Sequence, residues 1–324
     1  MLPSRTEIEA AAELVHRTVT PTAQICWALL TERCGCEVWV KHENHTPIGA
    51  FKVRGGLVYM DDLKRRAPEV PGVLTATRGN HGQSVAFAAR ANGINAVIVV
   101  PHGNSVEKNR AMRAFGAELV EHGRDFSAAY DYAVGLAEER GLHMLRSFHP
   151  LLIRGVATYG YEFLSAAPKL DAVYVPIGLG SGICSMVAAR EALGCTTEVV
   201  GVVAEKAATY ALSFEAGKPV PTDSSDTLAD GMAVRVPDEG ALEIILASVA
   251  RIVTVTEDEI LAAMRHYFSD THNIAEGAGA APLAALLKER EAMQGKRVGL
   301  VLSGGNLDRA LYLEALGADR AETA

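Results

Sequence analysis

Short β-branched runs alternate with Ala-rich stretches of helical period from about residue 37 to residue 316, and this rhythm limits the fold more than any other feature of the sequence. Runs such as Ala96–Val100 and Ala172–Pro176 are apolar along their whole length, so both faces need covering, and the Ala-rich segments between them are the natural cover. The pattern predicts strands at Glu37–Lys41, Val73–Thr75, Ala96–Val100, Glu118–Val120, Ala172–Pro176, Glu198–Val203 and Arg297–Leu302. It predicts helices at Arg54–Arg66, Gly82–Ala91, Val106–Phe115, Phe126–Arg140, Ile153–Ala166, Gly182–Leu193, Glu257–Tyr267, Pro282–Arg290 and Leu307–Leu316. The fold class is therefore α/β, with open, mainly parallel sheets covered by helices, in which ligands collect beyond the carboxyl ends of strands. A polar turn with Pro at Arg146–Pro150 marks the crossing between domains. The segment Lys206–Glu239, rich in Ser, Thr, Pro and Asp around Leu228-Ala-Asp-Gly231, breaks the rhythm. It is either a loop crossing the surface or one that returns to the active site.

The remaining composition removes several classes of function. Thirty-one Lys and Arg against thirty-nine Asp and Glu leave a net charge of −8 without any basic block, which disfavours nucleic acid as a partner. Five cysteines, Cys26, Cys34, Cys36, Cys184 and Cys195, are odd in number and irregularly spaced, so they read as buried or idle thiols and not as a secreted disulfide framework. The N-terminal segment has the pattern of an amphipathic helix and not of a signal peptide. No apolar stretch approaches the roughly 20 residues of a membrane span, so a cytoplasmic protein with no membrane partner is expected.

Four segments carry chemistry. In residues 41–56, KHENHTPIGAFKVRGG, Lys52 follows a strand and a Thr-Pro-Ile-Gly turn just ahead of a helix, in an apolar setting beside Ala50 and Phe51. Partial burial lowers the pKa of a lysine, and an amine so placed can form an imine; the plain alternative is a surface lysine. In residues 75–93 a strand runs through a turn into a helix, so Thr77, Gly79, Asn80, His81 and Gly82 form a carboxylate or phosphate cradle or simply a βα turn. Residues 175–183, VPIGLGSGI, place Ile183 where a dinucleotide fingerprint needs its third glycine and lack the Walker lysine. What remains is a nest of backbone N–H groups with the Ser181 hydroxyl, sized for one phosphate. Finally, VGLVLSGGNLD, residues 298–308, ends a buried strand in Ser303, Gly304, Gly305 and Asn306, where glycines admit a planar ligand and Ser303 can reach a ring nitrogen.

Together these segments resemble the fold type II pyridoxal-phosphate enzymes, and among them the serine/threonine dehydratase and serine racemase group. The resemblance is carried by GAFKVRGG, RGNHGQ, GLGSG, LADG, EGAGA at 276–280 and LSGGN, spread in the family's order from about residue 20 to residue 308. It implies pyridoxal 5'-phosphate as cofactor, Lys52 as the lysine that holds it and Phe51 as the residue packed on its ring. It implies Asn80 at the phenolic oxygen, Gly178, Leu179, Gly180, Ser181 and Gly182 around the phosphate, and Ser303 at the pyridine nitrogen. Thr77, His81 and Gly82 fall where the family grips a substrate carboxylate. The implied domains are 1–52 with 150–324, binding the cofactor, and 53–149, a small mobile domain, in a homodimer. With about twenty residues after LSGGN, no regulatory domain and no feedback control by an amino acid are expected.

Departures from the family pattern narrow the implied activity. Arg78 stands where racemising members carry a serine that acts as the second base, and a guanidinium with a pKa above about 12 is a very poor base. Arg78 either packs as a structural residue or contacts the carboxylate or a second acidic group of the substrate. Val203 and Thr209 occupy the positions of a divalent-cation site, so no metal is expected, and His81 points to dehydratases over cysteine synthases. The implied reaction is β-elimination: a β-hydroxy-α-amino acid of serine or threonine type, 3-hydroxyaspartate or phenylserine gives a 2-oxo acid and ammonia. The competing readings are a β-replacing synthase, a racemase, a non-catalytic carrier of the cofactor and a Rossmann-type nucleotide module.

Overall fold

Ser4 starts the first helix. Its side chain accepts from the Glu7 amide while the Glu7 carboxylate accepts from the Ser4 amide, a capping box that fixes α1 (Arg5–Val15). In the computed structural model, which describes residues 2–317, there follow β1 (Gln24–Cys26), α2 (Ala28–Cys34) and β2 (Glu37–His42). Next come α3 (Lys52–Arg66), β3 (Val73–Ala76), α4 (Asn80–Ala91), β4 (Ala96–Val100), α5 (Val106–Ala114), β5 (Glu118–Glu121), α6 (Phe126–Arg140) and β6 (His143–Met144). The second half holds α7 (Pro150–Ala166), β7 (Ala172–Pro176), α8 (Ser181–Leu193), β8 (Glu198–Ala204), α9 (Thr209–Ala216), α10 (Glu239–Ser248) and β9 (Arg251–Val255). It closes with α11 (Glu257–Thr271), α12 (Gly277–Lys288), β10 (Arg297–Leu302) and α13 (Arg309–Gly317).

The strands form two open sheets. One has six strands in the order β1-β2-β10-β7-β8-β9, parallel except for the antiparallel β1–β2 pair, and the other is a parallel sheet ordered β5-β4-β3-β6. Every residue of β4 and β7 is buried, as their unbroken apolar runs predict. The rhythm read from the sequence is present, but several elements that it lacks appear as well: β1, α2, β6, α9, α10 and β9. β1 and β6 have three and two residues and their burial is incomplete, so their side chains carry little apolar signal, whereas β9 holds the β-branched run Ile252–Val255, a strand signal that the reading passed over. Helices α3, α4, α8 and α12 begin one to five residues earlier than predicted, because their first turns carry glycine and polar residues that weigh against a helix when only the sequence is read. Among the described residues no helix is long and apolar enough to cross a membrane.

The motif Arg54-Gly55-Gly56 explains how α3 is seated. A Cβ on Gly155 of α7 would lie 2.3 Å from Arg54 O, and one on Gly55 would lie 2.8 Å from Leu152 O, so these two helices cross with their backbones touching. A Cβ on Gly56 would meet Ser84 Oγ of α4 at 2.3 Å. The fully buried Arg54 guanidinium pins the same turn electrostatically: it donates to Glu43 (2.7 and 2.9 Å) and to Glu162 of α7 (2.5 and 3.0 Å). Lys41 Nζ adds a bond to Glu162 at 2.6 Å. Breaking such a buried cluster on one side leaves uncompensated charge, so it orients the start of α3 strongly.

Candidate active site

Four strand ends converge on the start of α3. Lys52 follows β2, Ser303 follows β10 and Gly178–Gly182 follow β7, three adjacent central strands, while Thr77–Gly82 follow β3 of the other sheet. Hydrogen bonds join the four segments. Lys52 Nζ donates to Ser181 Oγ at 3.3 Å, Phe51 N donates to Ser303 O at 3.0 Å, Ser84 Oγ donates to Lys52 O at 2.6 Å, and Asn306 Nδ2 donates to Asn80 Oδ1 at 2.9 Å. An isolated bridge pairs Ala50 with Gly304. The sequence-predicted residues are therefore brought together, with Arg78 as the exposed member of the set.

Lys52 is the first residue of α3 and its Nζ lies 4.9 Å from the centre of the Phe51 ring. Desolvation lowers its pKa to about 8, against a smaller opposing pull from the Glu276 carboxylate. His81 is buried beside it. Desolvation and then the Lys52 charge bring the imidazole down to about 3, so it is neutral, and its Nε2 has no hydrogen-bond partner. Lys52, His81, Ser147 and Ser181 line one small cavity with Gly55, Leu152 and Val156. At the head of α4, Thr77 Oγ1 accepts from the Gly79 and Gly82 amides at 3.0 and 3.4 Å.

The Gly178–Gly182 turn is shaped by close approach. A Cβ on Gly178 would lie 2.2 Å from Gly231 O, and Gly180 has φ +103°, a left-handed conformation that L side chains avoid. The turn is held from behind by Tyr159 Oη, which donates to Gly182 O at 2.9 Å, and Tyr210 Oη, which donates to Leu179 O at 3.0 Å. The first-turn N–H groups of α8 have no intrahelical partner and face this turn, a site for one anionic group. An amine of lowered pKa, a one-phosphate nest that side chains would fill, a ring face at Phe51 and the buried Ser303 fit pyridoxal phosphate.

Sequence reasoning missed part of the site. The segment Lys206–Glu239 returns to it: Gly231 packs on Gly178, and Asp230 accepts from Lys108 Nζ of α5 at 2.6 Å. Burial works against the Lys108 charge, but the Asp230 and Glu276 carboxylates outweigh it and hold its pKa above the ordinary value. Glu276 is buried and accepts from Asn80 Nδ2 at 2.7 Å. Asp230 and Glu276 lie inside the LADG and EGAGA motifs, which is the signal that could have found them. Lys108 had none, being one more cation in a charged helix.

The sequence profile of the family described as pyridoxal-phosphate dependent enzyme matches residues 15–304. The L-threonine ammonia-lyase of Geobacter sulfurreducens is 38% identical over 310 residues, 95% of this chain and 76% of that protein. Among solved structures, the processed form of threonine deaminase isoform 2 from Solanum lycopersicum is similar with a TM-score of 0.89 at 28% identity, over 97% of this chain and 92% of that one. A pyridoxal 5'-phosphate-dependent aspartate racemase is similar with a TM-score of 0.88 at 28% identity, over 94% of this chain and 96% of that one.

Proposed function

Because the chain belongs to the pyridoxal-phosphate dependent enzyme family, we propose that it is a lyase that converts a β-hydroxy-α-amino acid of serine or threonine type to a 2-oxo acid and ammonia. The observation that carries this reading is Lys52: an amine with a pKa near 8, at the head of a helix and bonded to the serine of a one-phosphate turn. Bound pyridoxal phosphate supplies a carbonyl for the substrate amine and a ring that takes up electron density from Cα. In this reading Gly178–Gly182 with Ser181 hold the phosphate, Phe51 packs on the ring, Ser303 meets the ring nitrogen and Asn80 the phenolic oxygen. Thr77, Arg78, His81 and Gly82 hold the substrate carboxylate end.

Lys52 Nζ takes the Cα proton, a role suited to a base whose pKa lies close to neutral pH. The same ammonium then delivers a proton to the departing β-hydroxyl, which leaves as water. The released enamine tautomerises and hydrolyses, returning that water and freeing ammonia. Residues 53–149, which carry the Thr77–Gly82 loop, act as a small mobile domain over 1–52 and 150–324, which carry Lys52 and the phosphate turn. Arg78 does not suit the second base of a racemase and suits instead an acidic substrate group, which adds 3-hydroxyaspartate to serine, threonine and phenylserine as candidates. A homodimer in the cytoplasm belongs to the same reading, and the five free thiols support that compartment.

The test measures 2-oxo acid and ammonia released from serine, threonine, 3-hydroxyaspartate and phenylserine isomers by the protein and by Lys52→Ala. Stoichiometric release that disappears in Lys52→Ala supports the proposal, and full activity in that variant ends it. Consumption of an added thiol without 2-oxo acid would indicate a β-replacing synthase, and cofactor binding without turnover of any of these substrates would indicate a carrier.

A further inference from the structure

Glu276 lies outside the four turns that build the site, yet its carboxylate is buried among them. Its backbone N–H donates to Gly304 O at 3.1 Å, which fixes the residue against the turn after β10. Oε1 accepts from Asn80 Nδ2 at 2.7 Å, and Oε2, which has no hydrogen-bond partner, lies 3.7 Å from Lys108 Nζ. A Cβ at position 304 would meet Oε1 at 2.5 Å, so the space the carboxylate occupies depends on glycine there.

The other end of Asn80 is set by Asn306. Its Nδ2 donates to Ile48 O at 2.7 Å and to Asn80 Oδ1 at 2.9 Å, so both of its protons are committed. Asn80 Oδ1 is therefore the acceptor, and its amide nitrogen must face Glu276. That nitrogen has two protons, of which Glu276 takes one. We propose that Glu276 is a positioning residue that locks the Asn80 amide in this orientation, so that its remaining N–H is presented to the phenolic oxygen of the cofactor ring, with Lys108, itself held by Asp230, as the cation facing the carboxylate. This inference rests on the reading of the site as a pyridoxal-phosphate site.

The groups facing Glu276 are Lys108 from α5, Asp230 from the turn before α10, Lys52 from the head of α3 and the neutral Asn80 from α4. Desolvation raises the carboxyl, and Asp230 adds to the rise while Lys108, Asn80 and Lys52 oppose it; the result lies at about 7. A carboxyl raised in this way titrates closer to neutrality than an ordinary one, and the Asn80 amide is the link through which its charge would act on the ring.

The experiment compares wild type, Glu276→Gln, Asn80→Ala and the double variant as full-length protein with pyridoxal phosphate. It reads the dissociation constant of the cofactor and the absorption of the bound cofactor between pH 6 and 9. Glu276→Gln keeps an acceptor for Asn80 Nδ2 but removes its charge, so it is expected to weaken the cofactor about fivefold, the scale by which a charge-assisted hydrogen bond exceeds a neutral one, and to remove the spectral inflection that titration of the carboxylate produces. In the Asn80→Ala background it should change neither readout further, because the two residues act as one unit. Additive effects, or a Glu276→Gln spectrum and affinity identical to wild type, overturn the proposal. If Glu276→Gln does not fold, Gly304→Ala displaces Oε1 and is expected to shift the same two readouts, and no shift overturns the proposal. A wild-type chain that takes up no pyridoxal phosphate overturns the cofactor reading together with this inference, whereas a normal wild-type spectrum shared by Glu276→Gln overturns the inference alone.

Discussion

At pH 7 an exposed lysine with a pKa of about 10.4 has roughly 0.04% of its amine in the neutral, nucleophilic form. Burial brings Lys52 to about 8, which leaves about a tenth of the amine neutral and makes it about 200-fold richer in nucleophile at that pH. The rate at which the apoprotein forms its yellow adduct with pyridoxal phosphate should therefore climb about tenfold per pH unit below 8 and level off above it. Rapid mixing between pH 6.5 and 10.5, with borohydride reduction and peptide mass analysis, measures the bend and locates the modified residue. The Glu276 carboxylate raises the Lys52 pKa, so Glu276→Gln should move the bend to lower pH. A rate still climbing at pH 10 would mean that the amine is solvated like a surface lysine, and a label elsewhere than residue 52 would remove the assignment. The linkage has a definite sign: the folded pKa is depressed, so the unfolded chain binds the extra proton between about pH 8 and 10.4, and this residue makes the apoprotein more stable as pH rises through that window.

Other consequences follow from the same geometry. Gly178→Ala puts a methyl group 2.2 Å from Gly231 O; it should displace the phosphate turn and weaken the cofactor by about tenfold or more, the scale of a lost charge-assisted contact, as measured by equilibrium titration. Arg54→Met leaves Glu43 and Glu162 buried without their guanidinium and should cost about 3–5 kcal/mol in urea unfolding. Despite burial, the Arg54 and Lys41 cations hold the Glu162 carboxyl down to about 2, so the stability it contributes is complete above about pH 4.5 and is lost as pH falls toward 2. Arg78→Ser should raise the KM for an acidic substrate such as 3-hydroxyaspartate more than that for threonine; equal changes would place Arg78 in a structural role.

The site was legible because its parts are local. A strand, a glycine turn and a helix start can be read within ten residues, so Lys52, Gly178–Gly182 and Ser303 were visible without contacts between segments. The Lys206–Glu239 segment stayed ambiguous because its role depends on Gly231 packing against Gly178, an approach between residues more than fifty positions apart. Lys108 was invisible for the same reason, since its partners Asp230 and Glu276 belong to distant turns.

The alternation of the main strands and helices, their apolar faces and the chemistry at the strand ends that carry the site are properties of short stretches of chain, set by residue volume, polarity and backbone freedom, and the sequence alone determined them. Which ends meet depended on strand order. β2, β10 and β7 are neighbours although more than a hundred residues separate each pair. Side chains touching across that distance decided the rest, from the buried Arg54 cluster that seats α3 to the desolvation that makes Lys52 a base near neutral pH, because burial and charge pairing exist only once the sheets have packed.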